Sequence, residues 1–317
     1  MIAFGPVPSR RLGQSLGINN IPPKVCSYSC VYCQLGSAGR MSVDPSVFYP
    51  PEEIFEEVKR QLEKVRPTSE PIDYLTFVSD GEPTLDRGLS RAIELLKPLG
   101  IKIAVISNAS LLWRPEVRDA LSRAEWVSLK LDAAEEVVWR RINRPYGKLR
   151  LASVMDGMLE FAANYRGKLV TETMLVRGVN DGREQVEGMG EFLRRLNPFT
   201  AYLSIPTRPP AEEWVGRPDE ATLHNAYQIL KRHIPRVECL MGYEGNAFAH
   251  TGNVQEDLLN ITSVHPMRED AVTEMLRKAK ADWTVVQNLL NRGLILEMEH
   301  EGRRFFMRRF HSSSLSN

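Results

Sequence analysis

Two periodicities alternate along the chain. From Pro51, Ile54, Val58, Leu62 and Val65 return at helical spacing, and Pro51 is well placed at a helix start. Leu89, Ile93 and Leu96 mark a second helix. Between and beyond them lie short apolar runs of strand composition: residues 16–21 before Pro22 and Pro23, IDYLTFV (72–78), IKIAVIS (101–107), WVSLKL (126–131), KLVTETMLV (168–176) and FTAYLSI (199–205). A helical segment follows each of the later runs. Six strands alternating with helices predict right-handed crossovers and a parallel sheet. Six units are too few for a closed eight-fold barrel, so the expected fold is α/β, a partial (β/α)6 parallel barrel. In such folds chemistry gathers at the carboxyl ends of the strands.

The pattern changes near residues 253–256. Ala271, Val272, Met275, Leu276 and Ala279 form one amphipathic stripe. Asp282 is placed to cap a second helix that buries Val286, Leu289 and Leu290 and stops at Gly293. LILEME and RFFMRRF, joined by His300-Glu301-Gly302-Arg303, read as a hairpin. Helix, helix, hairpin is a winged-helix pattern. The expected division is a barrel over residues 1–253 and a small winged-helix-like domain over residues 254–317.

Apolar residues make up 43% of the 317, which excludes global disorder. The formal charge of +1 excludes an argument from bulk basicity for nucleic-acid binding. No apolar run approaches a membrane span, and the N-terminus lacks the apolar stretch of a secretory signal, so the expected location is the cytoplasm, with no membrane partner.

Three of the four cysteines, Cys26, Cys30 and Cys33, fall in CSYSCVYC with C-x3-C-x2-C spacing, while Cys239 stands alone. A cubane [4Fe–4S] cluster normally takes four thiolates, and three leave one iron open. S-adenosylmethionine can chelate that iron, and an electron from the reduced cluster then breaks its sulfur–carbon bond to release a 5′-deoxyadenosyl radical. The alternatives are a zinc site completed by Cys239 or a histidine, or the buried face of a helix. Pro22, Pro23 and the Ser-Tyr-Ser stretch speak against the helix.

With these motifs the chain resembles the radical S-adenosylmethionine superfamily over roughly residues 1–250. The resemblance implies that Tyr32 sits near the adenine. It makes Asp80-Gly81-Glu82-Pro83 the family's GE position, where Gly81 and the Glu82 carboxylate hold the methionyl ammonium. It also makes Ser107 and Asn108 polar contacts to the ribose or carboxylate. Read without the resemblance, Glu82 is a solvated turn residue, and Ser107 and Asn108 cap the next segment. Lys130 and Asp132 close the fourth strand, as cofactor or substrate contacts or as a surface ion pair. Within the superfamily, PVPSRRLGQSLGIN, VSDGEPTL and ISNAS are similar to the wyosine-forming tRNA enzymes. Those enzymes hold a second cluster on further N-terminal cysteines. No cysteine precedes Cys26 here, so their pyruvate condensation is not carried over.

The substrate expected first is RNA, with phosphates held by Arg10, Arg11 and Arg208 around the barrel mouth. Gln287, Asn288, Asn291 and Arg292 on the second C-terminal helix, and Arg303, Arg304, Arg308 and Arg309 on the hairpin, extend that surface. Residues 255–317 are neutral as a whole, with nine basic and nine acidic residues. Asn246, with Tyr243 and Phe248, suits an ordered loop near the mouth or a linker packed on the barrel edge. A peptide or protein bound along the hairpin is the second reading, and an iron–sulfur DNA-binding regulator without catalysis the third. A flavodoxin or ferredoxin is the expected electron donor.

Overall fold

The computed structural model describes residues 2–65, 71–240, 253–264 and 266–309. The chain opens with strands β1 (Ala3–Ser9) and β2 (Gly13–Ile18), then β3 (Val25–Cys26), β4 (Arg40–Met41) and helix α1 (Pro51–Val65). Strand–helix units follow: β5 (Tyr74–Phe77) and α2 (Leu89–Leu96), β6 (Lys102–Ser107) and α3 (Pro115–Ser122), then β7 (Trp126–Lys130) with α4 (Glu136–Asn143) and α5 (Leu151–Asn164). The series continues with β8 (Lys168–Met174), α6 (Arg183–Leu196), β9 (Thr200–Ser204), α7 (Glu220–His233) and β10 (Val237–Leu240). Helix α1 shows why such segments fold locally. Proline opens it, Glu52 and Glu53 occupy its positive first turn, Lys64 its last, and Ile54, Val58, Leu62 and Val65 form one buried stripe.

The main sheet runs β1-β2-β5-β6-β7-β8-β9-β10. From β2 onward every pair is parallel, and only β1 is antiparallel. The six expected strands are present, and the expected count is short by two. Strand β1 carries Pro6 and Pro8, which an edge strand tolerates because it pairs on one side only. Strand β10 is four residues long, too brief for composition to single out. Among the described residues β10 does not pair back onto β1, so the barrel is open.

Alternation along the strands separates two environments. Leu16, Leu75, Ile103, Val105, Val127, Leu129 and Leu203 join the helices in the large core. The opposite parity puts Ala104, Trp126, Val170, Tyr202 and Leu240 together with Leu12 of the β1–β2 turn. Lys130 and Glu172 share that second parity, and therefore point into the barrel rather than toward the helices.

The C-terminal segment holds α8 (Val254–Val264), β11 (Met267–Arg268), α9 (Glu269–Lys278), α10 (Thr284–Asn291), β12 (Ile295–His300) and β13 (Arg303–Arg308). Its sheet order is β11-β13-β12, and its core contains Leu258, Ile261, Met275, Leu289 and Phe306. Trp283, not the expected Asp282, is the N-cap of α10; Asp282 stands one residue earlier and accepts the Thr284 N–H at 2.9 Å. The hairpin turns at Glu301 and Gly302, both at positive φ, a backbone twist that matches the twist of the strands it joins. Among the described residues no helix is long and apolar enough to cross a membrane.

Candidate active site

The cysteine loop is held at both ends. Val25 and Cys26 pair with Arg40 and Met41. The N–H groups of Ser29 and Val31 donate to the carbonyls of Asn143 and Ile142, each at 3.0 Å, docking the loop on the end of α4. The three thiols are half-buried and each meets amide donors or cations. Cys26 Sγ accepts from the Tyr28 N–H at 3.5 Å and from Asn108 Nδ2 at 3.6 Å, and Cys30 Sγ accepts from Asn143 Nδ2 at 3.4 Å. Burial pushes the Cys26 and Cys33 thiols up and Cys30 up to about 12, while Lys130 and Lys24 pull Cys33 back. To ligate a metal as thiolates they need the cation's charge to offset that burial.

Among the described residues no three Cys, His, Asp or Glu side chains form a site for a single metal ion. Cys239 lies on β10, at the far edge of the sheet, with the parity of the helix-facing residues. It therefore does not complete a zinc site with the loop. It is also half-buried rather than a fully enclosed core thiol. Three soft sulfurs on one loop, with amide donors beside them, fit a cluster that distributes its ligands over several irons.

Gly81 is where this loop meets β5. A Cβ built on it would lie 1.8 Å from the Val25 carbonyl oxygen, so no side chain fits. That carbonyl accepts the Glu82 N–H at 3.1 Å. The Glu82 carboxylate then gathers the neighbouring strand ends. Its Oε1 accepts from the Thr84 N–H at 3.1 Å, Thr84 Oγ1 at 2.6 Å and Ser107 Oγ at 2.8 Å, and its Oε2 accepts from the Asn108 N–H at 2.7 Å. Asn108 Nδ2 continues to Ser27 Oγ at 2.9 Å and to Cys26. Glu82, Ser107 and Asn108 are thus brought together as expected of one site, but around one another. Glu82 is 1% exposed, so it is not the solvated turn residue of the alternative reading, and its carboxylate does not line the cavity described below.

The carboxylate that does line the cavity at this strand end is Asp80, which sequence reasoning passed over in favour of its neighbour. Asp80 Oδ2 accepts from Asn19 Nδ2 at 2.9 Å. Burial raises its carboxyl to about 7, against the opposing pull of Asn19 and Arg308.

The cavity holds about 340 Å³ at the carboxyl ends of the strands, and its walls include Arg11, Tyr32, Cys33, Asp80, Lys130 and Glu172. Tyr32 donates its hydroxyl to Asp132, which also accepts from Asn143 Nδ2 at 2.7 Å and from the Met174 N–H at 2.8 Å. Asp132 is therefore behind the cavity, fixing Tyr32. Lys130 and Asp132 are not an ion pair with each other. Lys130 Nζ lies 3.0 Å from Glu172 and 5.0 Å from the centre of the Tyr32 ring, and Arg11 binds the other Glu172 oxygen. Burial alone would push Glu172 up, yet Lys130 and Arg11 hold its carboxyl well below the usual range. Burial would likewise lower Lys130, and Glu172 and Asp132 more than offset it, leaving the ammonium above its ordinary value. The one usable signal for Glu172 was parity: it stands two residues from Val170 in a strand whose next-door strand ends in Lys130.

Of the expected substrate arginines, Arg11 and Arg208 line this cavity, and Arg208 donates to Gln34 Oε1 at 2.7 Å. Arg10 is exposed and outside the lining. Arg303 lines a second groove, while Arg304 binds Glu269 and lies 3.6 Å from Glu297. Asn246, with Tyr243 and Phe248, lies outside the described residues.

An open parallel barrel with a three-cysteine loop over its strand ends defines the class. Residues 20–193 match the family model described as the radical SAM superfamily, and the chain belongs to that superfamily. It is therefore an enzyme of a family that works with a [4Fe–4S] cluster and S-adenosylmethionine, which excludes the non-catalytic regulator. It is 44% identical to a UPF0026 protein of Methanocaldococcus jannaschii over 98% of this chain and 97% of that one. A probable RNA methyltransferase of Anaeromyxobacter is 27% identical over 71% of this chain and 65% of its own length. Two solved structures share the fold at 18% identity. A radical SAM methyltransferase from Sphaerobacter thermophilus has a TM-score of 0.57, covering 72% of this chain and 67% of that one. TYW1 with a lysine-pyruvate adduct bound has a TM-score of 0.51, covering 69% and 74%.

Proposed function

We propose that this enzyme modifies RNA by radical chemistry, with its cluster on Cys26, Cys30 and Cys33 and an electron supplied by a flavodoxin or ferredoxin. The observation that carries the reading is the composition of the 340 Å³ cavity: Cys33 and Tyr32 form one wall, and Arg11, Lys130 and Arg208 supply cations on the others. Cluster and S-adenosylmethionine, when bound, supply one-electron chemistry; the chain's own residues position and shield it. Asn108 and Asn143 donate to the cysteine sulfurs. The Glu82 knot holds the strand ends beneath the loop, and Asp132 fixes the Tyr32 ring at the cavity wall. Glu172 bridges Lys130 and Arg11 at the cavity wall, where the two cations can meet an anionic or electron-rich group. A relative described as a probable RNA methyltransferase supports RNA as the substrate class. Residues 254–317, in this reading, are a winged-helix-like module that recruits it.

The peptide reading relies on an open strand edge. Strand β12 has one, but Glu297 and Glu299 stand along it, the kind of charge that guards edges against pairing. The test is anaerobic reconstitution, with reductant and S-adenosylmethionine, against total RNA from cells lacking the protein. Nucleoside mass spectrometry is expected to show a new mass that needs S-adenosylmethionine and is lost in Cys33→Ala. A mass change confined to protein would overturn the RNA reading in favour of a peptide substrate.

A further inference from the structure

A second cavity of about 760 Å³ runs between the barrel mouth and the C-terminal sheet. One wall is the loop after β8 and the segment before α7, with Arg177 and Arg217. The other is Arg268, His300 and Arg303 of the three-stranded sheet. Ile205 and Thr207, just beyond β9, line both this groove and the 340 Å³ cavity beside the cysteine loop. The groove and the inner cavity therefore adjoin at these two residues.

Its charges are unevenly matched. Arg217 pairs with Glu301 at 3.2 Å across the groove, and Arg268 pairs with Asp270. Asp219 caps α7, accepting the Thr222 N–H at 2.7 Å, with Arg177 near enough to help lower its carboxyl, and Glu220 also lines the groove. Arg177 and Arg303 are exposed, and neither side chain has a hydrogen-bond or ion-pair partner among the described residues. The Nε2 of His300, on the groove wall, is buried with no partner. Strand β13 explains the arrangement. Alternation sends Arg303 and Phe305 toward the barrel and Arg304 and Phe306 away, so the arginine-rich hairpin divides its cations between two faces.

We propose that this groove holds the sugar–phosphate backbone of the RNA, with Arg177 and Arg303 each taking a phosphate, while one nucleotide passes Ile205 and Thr207 into the inner cavity. The proposal rests on the RNA reading above and adds the path. Guanidinium forks match phosphate oxygens in pairs, and two exposed forks on opposite walls of a groove suit a polyanion laid between them. A peptide held by strand addition needs an open backbone edge. This groove is walled instead by side chains, including those of β13, the central strand of its sheet.

The test uses the anaerobically reconstituted full chain and fluorescein-labelled bulk tRNA from cells lacking the protein, with anisotropy read from 50 to 200 mM salt. Arg177→Ala/Arg303→Ala is expected to weaken binding tenfold or more. It is also expected to flatten the slope of log affinity against log salt by about 1.5, since each phosphate contact contributes roughly 0.7–0.9. Arg194→Ala/Arg195→Ala, on exposed positions at the far end of α6, removes equal charge and is expected to change binding less than twofold. Should the groove pair lower the thermal midpoint, Arg177→Ala alone carries the test with about half the slope change. Wild-type binding with no response to the groove changes, or an equal response to the control, overturns the groove and leaves the RNA reading standing. No binding of the tRNA by wild type even at 50 mM salt overturns both.

Discussion

Glu82 and Asn108 meet across the ends of β5 and β6. The backbone N–H of Asn108 donates to one carboxylate oxygen at 2.7 Å, and its side chain reaches on to the sulfur of Cys26. The end of β6 is thereby tied to the cysteine loop. Removing the carboxylate leaves the donors of Thr84, Ser107 and Asn108 buried and unmatched, at about 1–3 kcal/mol each. Glu82→Ala is expected to lose about 3 kcal/mol or more in urea unfolding of the metal-free protein and to hold less iron after reconstitution. A loss below about 0.5 kcal/mol, the usual scale of surface changes, would contradict the buried knot.

Iron content separates the cysteines. Cys26→Ala, Cys30→Ala and Cys33→Ala are each expected to lose most of the cluster absorbance and iron after anaerobic reconstitution. Cys239→Ala, with its thiol on the helix-facing side of β10, is expected to match wild type. Equal iron loss in the Cys239 variant would remove the three-cysteine assignment.

Glu172 sits between Lys130 and Arg11, inside the barrel. Glu172→Gln leaves two buried cations without their counter-charge, a change that costs about 3–5 kcal/mol when one partner of a buried pair is removed. Replacing both Glu172 and Lys130 by Met is expected to cost less than Glu172→Gln alone. A double-mutant comparison by chemical unfolding checks the order, and the reverse order would show the network to be incidental to stability.

Asp80 gives a pH signature of definite sign. Its folded carboxyl is raised to about 7, mainly by burial, above an ordinary value of 3.8. Between about pH 4 and 7 the unfolded chain has released a proton that the folded protein keeps, so this group's contribution to stability falls as pH rises and levels off above 7. The swing has a ceiling of about 4 kcal/mol, three pKa units at about 1.4 each. Asp80→Asn is expected to remove it, so that the variant gains on wild type as pH rises through that window. Parallel stability–pH curves for the two proteins would place Asp80 in a more solvated setting.

What the sequence by itself determined was local. The C-x3-C-x2-C spacing, the helical stripe from Ile54 to Val65, the six apolar strand runs and the turn at Glu301-Gly302 each follow from neighbours a few residues apart, where periodicity and backbone preference act. Tertiary structure decided what depends on distant strands lying side by side. Strand β1 exists because an edge partner accepts Pro6 and Pro8, and β10 because β9 offers it a template. Arg11, Lys130 and Glu172 are separated by as many as 161 positions and become one network only when the barrel curves. At Glu82 the sequence shows a carboxylate at a strand end, and only the fold brings Ser107 and Asn108 at the end of β6 against its oxygens while Asp80 lines the cavity. The hairpin's arginines look alike in the sequence, but the side of the sheet that meets the barrel separates Arg303 from Arg304. Residue type and spacing carry the chemistry of a loop, whereas the direction a charge faces is set by the packing of elements that the chain joins only in three dimensions.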